Sequence, residues 1–347
     1  MRYGVLGLLQ GAPLVDLSEV ALDLLKHTPS AALGSCRYKL QLGDAARIAD
    51  ALRTERADTF VYIGGNDSAD TAQQIAEVDN QLRVLSVPKT IDNDLAGTDH
   101  CPGYGSAARF VAQTTRETAQ DTRAMRATDP IRLIEVMGRH AGWLPGAAWL
   151  ARQRDGDAPH LVYVPERPRS IEAITDDVRA AYGEYGWCVI VLCENQPTPD
   201  GNVIGAIGEP RWVDAFGHAY FDSPAQWLAR HLQEQLNVRV RFDKPGTIQR
   251  MATAYVSGTD RNEAELVGRE AVRLAASGTT RMMVSLVRRA GPTYEVETGE
   301  VSLEVVANQQ RLLPDEFVNP EGNGLTAAFT AYAEPLIGEP LPEFLSL

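Results

Sequence analysis

The stretch VLSVPKTIDNDLAGTDH, from Val84 to His100, is the part of the chain that best indicates its fold class. It begins with an apolar run typical of a buried strand. A lysine and a cluster of acids, Lys89, Asp92 and Asp94, follow where that strand is expected to end. Open parallel sheets bind ligands outside the carboxyl ends of their strands. The stretch therefore predicts a parallel α/β sheet with a charged site at one edge.

The rest of the chain repeats this pattern, because short apolar runs alternate with amphipathic stretches. Strand character is found at 58–65, 83–88, 131–138, 160–166, 186–194 and 239–242. Helical periodicity is found at 43–55, 67–78, 103–125 and 170–184. Ser170 is a candidate helix N-cap, and a loop-like segment at 195–217 interrupts the alternation. We predict a doubly wound α/β fold.

Composition limits the possible functions. The chain has 347 residues, of which 44% are hydrophobic, enough for two modest domains. Its net charge of −13 argues against binding to nucleic acid or to an anionic membrane, so an anionic substrate needs a local basic cluster. The four cysteines lack metal-ligand spacing, and no apolar run approaches the roughly 20 residues of a membrane span. We expect a cytoplasmic protein without disulfides or zinc.

Two polar motifs follow neighbouring strand candidates: GGNDS at 64–68 and PKTIDND at 88–94. Taken alone, the glycine pair is as consistent with a tight turn as with a phosphate cradle, and an Asp-Asn-Asp loop is more often a solvated turn than a metal site. Together they supply the parts of phosphoryl transfer. These are a cation for the transferring group, acids for Mg²⁺, and a carboxylate that takes a hydroxyl proton.

The motifs GGNDS, PKTIDND, EVMGRHAGW and PGTIQR resemble those of the phosphofructokinase family in order and spacing, from about Gly4 to the carboxyl end. The resemblance implies two doubly wound domains. The phosphoryl-donor domain would comprise 1–106 and about 250–300, and the sugar-phosphate domain 107–249 and about 301–347. It also implies phosphoryl transfer to the C1 hydroxyl of fructose 6-phosphate, a step of glycolysis and gluconeogenesis.

The identity of the donor is indicated by Asp67 and Lys89, where ATP-using members of the family have glycine. Pyrophosphate-using members resemble this chain at both positions. An aspartate at position 67 would crowd and repel a nucleotide α-phosphate, whereas the Lys89 ammonium offers a fixed charge to a small, highly charged donor. The resemblance thus implies pyrophosphate as the donor, with Mg²⁺, in a reversible reaction.

Further roles follow from the resemblance residue by residue. Asp92 is the expected general base, with Lys89, Thr90 and Asp94 as its catalytic neighbours. Donor-binding residues are expected at Arg37, Gly65, Asn66, Asp67, Ser68 and Lys89. Sugar-phosphate contacts are expected at Thr90, Asp92, Met137, Gly138, Arg139, Glu194, Arg241 and Arg250. Metal ligands are expected at Asn66, Asp67 and Asp94.

The sequence departs from the family pattern at several positions. Thr247 replaces a histidine that contacts the sugar, and Asn66 replaces an acid on the magnesium side. Pro130 replaces an arginine that crosses a subunit interface, and Arg132 is only a weak substitute for it. Because family sugar sites borrow basic residues from a neighbouring subunit, we expect a homodimer or homotetramer.

The amino end also departs from the family, whose members begin with a strand and a glycine-rich loop ahead of the segment that matches Arg2–Gly11. About thirty residues of this first βα unit are missing, which is the size of a βαβ element. We expect that the natural start lies upstream. The alternatives are an ATP-dependent enzyme, an enzyme that uses sedoheptulose 7-phosphate, and a truncated, non-catalytic paralogue that binds a sugar phosphate.

Overall fold

The structure, a computed structural model, describes residues 1–18, 20–206, 212–213, 219–220, 223–307 and 309–345. The strands are β1 (Thr59–Gly64), β2 (Arg83–Pro88), β3 (Ile131–Val136), β4 (Leu161–Val162), β5 (Cys188–Cys193), β6 (Trp212–Val213), β7 (Ala219–Tyr220), β8 (Val240–Asp243), β9 (Met282–Arg288) and β10 (Val296–Ser302). The helices are α1 (Gly4–Leu9), α2 (Leu22–Leu25), α3 (Asp44–Thr54), α4 (Asn66–Val78), α5 (Tyr104–Ala124), α6 (Trp143–Ala147), α7 (Ile171–Tyr185), α8 (Pro224–Leu236), α9 (Gly258–Ala276), α10 (Leu303–Val306) and α11 (Ala327–Ala333). Short 3₁₀ helices lie at Ala148–Ala151, Gly246–Arg250, Thr253–Tyr255, Asp315–Phe317 and Glu334–Ile337.

The first sheet has the strand order β1-β2-β9-β10. β1, β2 and β9 are parallel, and β10 pairs antiparallel with β9. Successive side chains of β2 point to opposite faces of this sheet. Val84 packs with α3, α4 and α10, while Leu85 packs with α9 on the other face. Helices therefore cover both faces of the first sheet.

The second sheet has the order β4-β5-β3-β8 and is parallel throughout. Residues of α5, α6 and α11 pack on one face, and residues of α7 and α8 pack on the other. All six residues of β5, CVIVLC, are buried, as expected for a parallel strand that is covered on both faces. The predicted doubly wound α/β fold with parallel-rich sheets is confirmed.

Helices α5 and α9 join the two sheets. The Asp260 carboxylate of α9 accepts hydrogen bonds from Gly103 N at 2.7 Å and Ser106 N at 3.1 Å, so it caps the amino end of α5. Leu303 and Val306 are buried in the core of the first sheet, and that unit therefore extends through α10. The chain then returns to the second sheet, where Phe329 of α11 is buried.

The structure adds elements that the sequence patterns did not predict, namely α8, α9, β9 and β10. The predicted strand at 160–166 is reduced to the two residues of β4, ending before Pro165, which has no N–H to donate. Within the loop-like segment, 195–206 forms a turn closed by a Pro197–Val203 bridge, and 212–213 is β6. The remainder of that segment, 207–211 and 214–217, lies outside the described residues. Among the described residues, no helix is long and apolar enough to cross a membrane.

Candidate active site

The carboxyl ends of β1 and β2 bring the two polar motifs together. Gly64 is opposite Pro88 in the parallel register, and Lys89 N donates to Gly64 O at 3.0 Å. A Cβ atom on Gly64 would lie only 2.1 Å from Ser68 Oγ, so glycine is required for α4 to begin immediately after the strand. Asn66, Asp67 and Ser68 consequently lie in the first turn of α4, beside Lys89.

The loop after β2 is held in place by its own polar groups. Thr90 N donates to Pro102 O at 3.2 Å, and Thr90 Oγ1 accepts a hydrogen bond from Asp92 N at 3.1 Å. Asn93 is fully buried in the left-handed region, with φ 58°. Its Oδ1 accepts from Cys101 N at 2.9 Å. The loop is therefore fixed from the protein interior, on either side of Asp92.

Asp92 lies in a buried environment that is surrounded by charged groups. Its Oδ1 is buried without a hydrogen-bond partner among the described residues, and its Oδ2 lies 3.7 Å from Arg139 Nε. Burial, with the charges of Asp94 and Glu194, raises the pKa of Asp92 to about 7, although Arg139 and Lys89 oppose the shift. A carboxylate whose pKa lies near the operating pH is an efficient proton acceptor.

Asp94 and Asn66 are hydrogen-bonded to each other at this edge of the first sheet. Asp94 is buried, and its Oδ2 accepts from Asn66 Nδ2 at 3.1 Å and Gln310 Nε2 at 3.4 Å. Burial raises the pKa of Asp94, with Asp67 contributing. Asn66 Oδ1 is buried without a partner among the described residues. Within the part of the chain that the structure describes, no group of three or more Asp, Glu, His or Cys side chains is arranged to hold a metal ion. One or two carboxylates nevertheless suit Mg²⁺, which usually takes its other ligands from substrate phosphates and water.

A pair of cations faces the acids. Lys89 is exposed, although neighbouring protein atoms partly enclose its side chain. This desolvation and the nearby charge of Arg250 lower the pKa of Lys89, while Asp92 opposes the shift. Arg250 ends the 3₁₀ helix Gly246–Arg250 and is also exposed. The two side chains form a local cationic cluster in an acidic protein.

The second sheet supplies the opposite wall. Val136 of β3 is opposite Cys193 of β5, so Met137 and Glu194 leave the sheet side by side. Gly138 has φ 138°, and a Cβ there would lie 2.8 Å from Ala141 O, which favours glycine. The Arg139 N–H bonds to Glu194, whose pKa is raised by burial and by the charge of Glu135.

Comparison with known proteins identifies the family. The phosphofructokinase family model matches residues 1–275. This chain belongs to the phosphofructokinase family. It is 38% identical to the pyrophosphate–fructose 6-phosphate 1-phosphotransferase of Xanthomonas campestris, over 100% of this chain and 87% of that protein, and 36% identical to the enzyme of that name from Halomonas elongata, over 98% and 84%. The crystal structure of a pyrophosphate-dependent phosphofructokinase from Marinobacter aquaeolei matches with a TM-score of 0.85 at 33% identity, covering 99% of this chain and 83% of that one. The predicted family is confirmed.

Arg37 lies on a segment that contacts β1 and the first turn of α4. Arg37 follows Cys36, whose thiol interacts with the buried Tyr62 hydroxyl, and Ser68 bonds to the same hydroxyl. This segment is therefore next to residues 64–68, and the side chain of Arg37 has interactions of its own.

Arg241, by contrast, is not next to Arg250. It is opposite Arg132 in the register of β8 and β3, five residues before Met137, or about 16 Å along the sheet. There its guanidinium pairs with Asp129 at 2.8 Å. Within one chain, Arg241 and Arg250 therefore do not form one phosphate site, because they lie at opposite ends of the sheet.

The structure also places residues in this region that the motif analysis did not assign. Gln249 Oε1 accepts from Met137 N at 3.2 Å and so ties the 3₁₀ helix to the end of β3. Its place inside the quoted PGTIQR motif was an available signal. Arg311 and Tyr332 bond to the loop around Asn93 from 218 and 239 residues away in the chain. No local pattern pointed to them.

Proposed function

We propose that this protein reversibly transfers a phosphoryl group from pyrophosphate to the C1 hydroxyl of fructose 6-phosphate. The observation that carries the proposal is the environment of Asp92: a buried carboxylate with an unpaired oxygen and a pKa of about 7, between acids on one side and Arg139 on the other. The names of the pyrophosphate-using relatives, at 36–38% identity, support the donor and the acceptor.

Donor binding is assigned to the edge of the first sheet, within a donor lobe of 1–106 and about 250–300. The assigned residues are Arg37, Gly65, Asn66, Asp67, Ser68 and Lys89. Asp67 is exposed in the first turn of α4, where its charge opposes a nucleotide α-phosphate, and Lys89 compensates the charge of pyrophosphate. Asn66, Asp67 and Asp94 are the residues that would hold Mg²⁺, which when bound neutralises charge on the phosphate oxygens.

In the mechanism, Asp92 accepts the proton of the C1 hydroxyl as the new oxygen–phosphorus bond forms and the bridging oxygen–phosphorus bond of pyrophosphate breaks, with orthophosphate as the leaving group. Thr90 Oγ1 accepts a hydrogen bond from the backbone N–H of Asp92 and so orients the Asp92 carboxylate. The Lys89 ammonium stabilises negative charge on the transferring phosphoryl group. In the reverse direction, the protonated Asp92 returns its proton to the same oxygen.

Sugar binding is assigned to the second wall, within a sugar lobe of 107–249 and about 301–347. Met137, Gly138 and Arg139 line it, Glu194 accepts sugar hydroxyl protons, and Arg250 binds the 6-phosphate. Arg241 would complete the phosphate site of a neighbouring copy, which requires a homo-oligomer. We propose that this assembly works in the cytoplasm.

The test compares donors under identical conditions. Purified protein, extended to its natural start, is assayed for fructose 1,6-bisphosphate formation with Mg²⁺ and either pyrophosphate or ATP, with sedoheptulose 7-phosphate as an alternative acceptor. We expect kcat/KM to be at least about 10²-fold higher with pyrophosphate, which corresponds to about 2.7 kcal/mol of transition-state discrimination. A preference for ATP would overturn the donor assignment, and absence of turnover with either donor would overturn the enzymatic function.

A further inference from the structure

Two side chains from the carboxyl-terminal part of the chain converge on the loop that carries Asp92. Arg311 follows α10, and Tyr332 lies in α11. Both bond to Asn93, whose backbone lies between the two acids of the proposed site. Neither residue belongs to the motifs that indicated the reaction.

The Arg311 guanidinium donates hydrogen bonds to several backbone carbonyl oxygens of the loop after β2. The acceptors are the carbonyl oxygens of Asn93 at 3.4 Å, Thr98 at 3.3 Å and Asp99. The backbone N–H of Arg311 also donates to Asp94 O at 2.8 Å. The guanidinium stacks 4.1 Å above the Trp143 ring of the second lobe, whose Nε1 donates to Arg311 O at 3.1 Å. Arg311 thus joins the loop to the opposite wall of the site.

The Tyr332 hydroxyl completes this arrangement. It accepts hydrogen bonds from Asn93 Nδ2 and Arg311 Nη2, each at 2.9 Å, and donates to Asp99 O at 2.8 Å. One donor and two acceptor positions are the full capacity of a tyrosine hydroxyl. The orientation of the Asn93 side chain is therefore fully determined.

We propose that Arg311 and Tyr332 are positioning residues for phosphoryl transfer: they hold Asn93 in its left-handed conformation and thereby aim the Asp92 carboxylate. The inference rests on the proposed function, because it gives these residues a role only if Asp92 is the base. A non-glycine residue with φ 58° is uncommon and persists where its surroundings fix it. Rotation at Asn93 would move Asp92, and a displacement of about 1 Å at a reacting group can cost about 10²-fold in rate.

The test removes only the hydroxyl. Tyr332→Phe keeps the ring packing, and we expect kcat to fall roughly 10- to 100-fold with little change in the KM of either substrate. Tyr163→Phe is the matched control. Its hydroxyl also donates a hydrogen bond, in this case to Asp177 Oδ2 at 3.1 Å, but lies in the core between the second sheet and α7. We expect Tyr163→Phe to keep kcat within about twofold of the wild-type value. It should lower the melting temperature by about as much as Tyr332→Phe does. Arg311→Lys, which keeps the charge but not the guanidinium hydrogen bonds, should reproduce the Tyr332→Phe pattern.

A double-mutant cycle separates positioning from general destabilisation. If Tyr332 acts through Asp92, then Tyr332→Phe should change kcat by less than about twofold in an Asp92→Asn background. An equal fall in both backgrounds, or a Tyr332→Phe enzyme as active as Tyr163→Phe, would overturn this inference and leave the proposed function intact. An Asp92→Asn enzyme with normal turnover would overturn the proposed base and, with it, this inference.

Discussion

Asp92 Oδ2 lies 3.7 Å from Arg139 Nε, and the two residues come from different sheets. Asp92 follows β2 of the first sheet, and Arg139 follows β3 of the second. At this separation the guanidinium stabilises negative charge without forming a direct hydrogen bond. The carboxylate is therefore left able to accept a proton, while a fixed positive charge limits the rise of its pKa. The arrangement exists only because both sheets end at the same cleft.

Replacement of Asp92 by asparagine tests the proposed base. Asparagine keeps the shape and is an equally good turn former, but it cannot accept the proton. General acid–base catalysis contributes about 10²–10⁴-fold, so we expect kcat to fall by that factor with little change in the KM for fructose 6-phosphate. Steady-state kinetics in both directions provide the measurement, because an acid–base group must slow both. Near-normal turnover would remove Asp92 from the mechanism.

The sequence predicted the centre of this site better than its surroundings. The motifs at the ends of β1, β2, β3 and β5 could be predicted because each polar cluster directly follows an apolar run. Arg311 and Tyr332 could not, because they bond to the loop over separations of 218 and 239 residues, and their identities carry no periodic signal. Contacts of this kind depend on tertiary packing, which the local pattern does not encode.

A prediction on donor choice concerns Asp67 and Lys89. An Asp67→Gly/Lys89→Gly variant lacks both the aspartate that repels a nucleotide α-phosphate and the ammonium that compensates the charge of pyrophosphate. The ratio of kcat/KM with pyrophosphate to that with ATP should fall at least about 10-fold, because each tenfold change requires only about 1.4 kcal/mol. Thr71, buried on α4, can still keep activity with ATP low. Lys26→Gly is a control, since Lys26 pairs with Glu265 far along the chain from either motif. An unchanged ratio would contradict the donor assignment.

Arg241 provides a test of assembly. Its distance from the carboxyl end of β3 suits a contribution to a neighbouring copy, so Arg241→Ala should raise the KM for fructose 6-phosphate with kcat nearly unchanged. Arg239→Ala is the matched control, because Arg239 pairs with the same Asp129, at 3.0 Å. If sites are shared in a dimer, co-expression of Arg241→Ala and Asp92→Asn chains restores one intact site in each mixed dimer, or roughly a quarter of wild-type sites.

The mixed preparation is assayed at low fructose 6-phosphate, where each parent alone is nearly inactive. Activity no higher than the mean of the two parents would show that Arg241 does not complete a neighbouring site. Sedimentation of a fully active monomer would contradict the predicted oligomer independently. The family resemblance assigned both Arg241 and Arg250 to the sugar phosphate, but within one chain β8 and the turn after it separate them.

The last prediction concerns His160 and the dependence of stability on pH. His160 Nδ1 accepts a hydrogen bond from Val189 N at 3.1 Å. The centroid of its ring lies 4.6 Å from that of Trp187 and 4.8 Å from that of Tyr185. Burial, aided by the charge of Arg152, lowers the pKa of His160 to about 4. The neutral ring is thus required for folding, since a proton on Nδ1 would remove the bond to Val189.

Because the unfolded chain binds this proton with a pKa of about 6.5, it holds more protons than the folded protein between pH 6.5 and pH 4. The contribution of His160 is complete above pH 6.5 and is lost as pH falls through that window. Between pH 7.5 and pH 5 the loss is about 2 kcal/mol, equivalent to roughly 3 °C in melting temperature for a chain of this length. His160→Asn keeps an acceptor near Nδ1 and does not titrate. The pH-induced fall in its melting temperature should be smaller than that of the wild type by this amount, whereas equal falls in both proteins would show that His160 is not the group responsible.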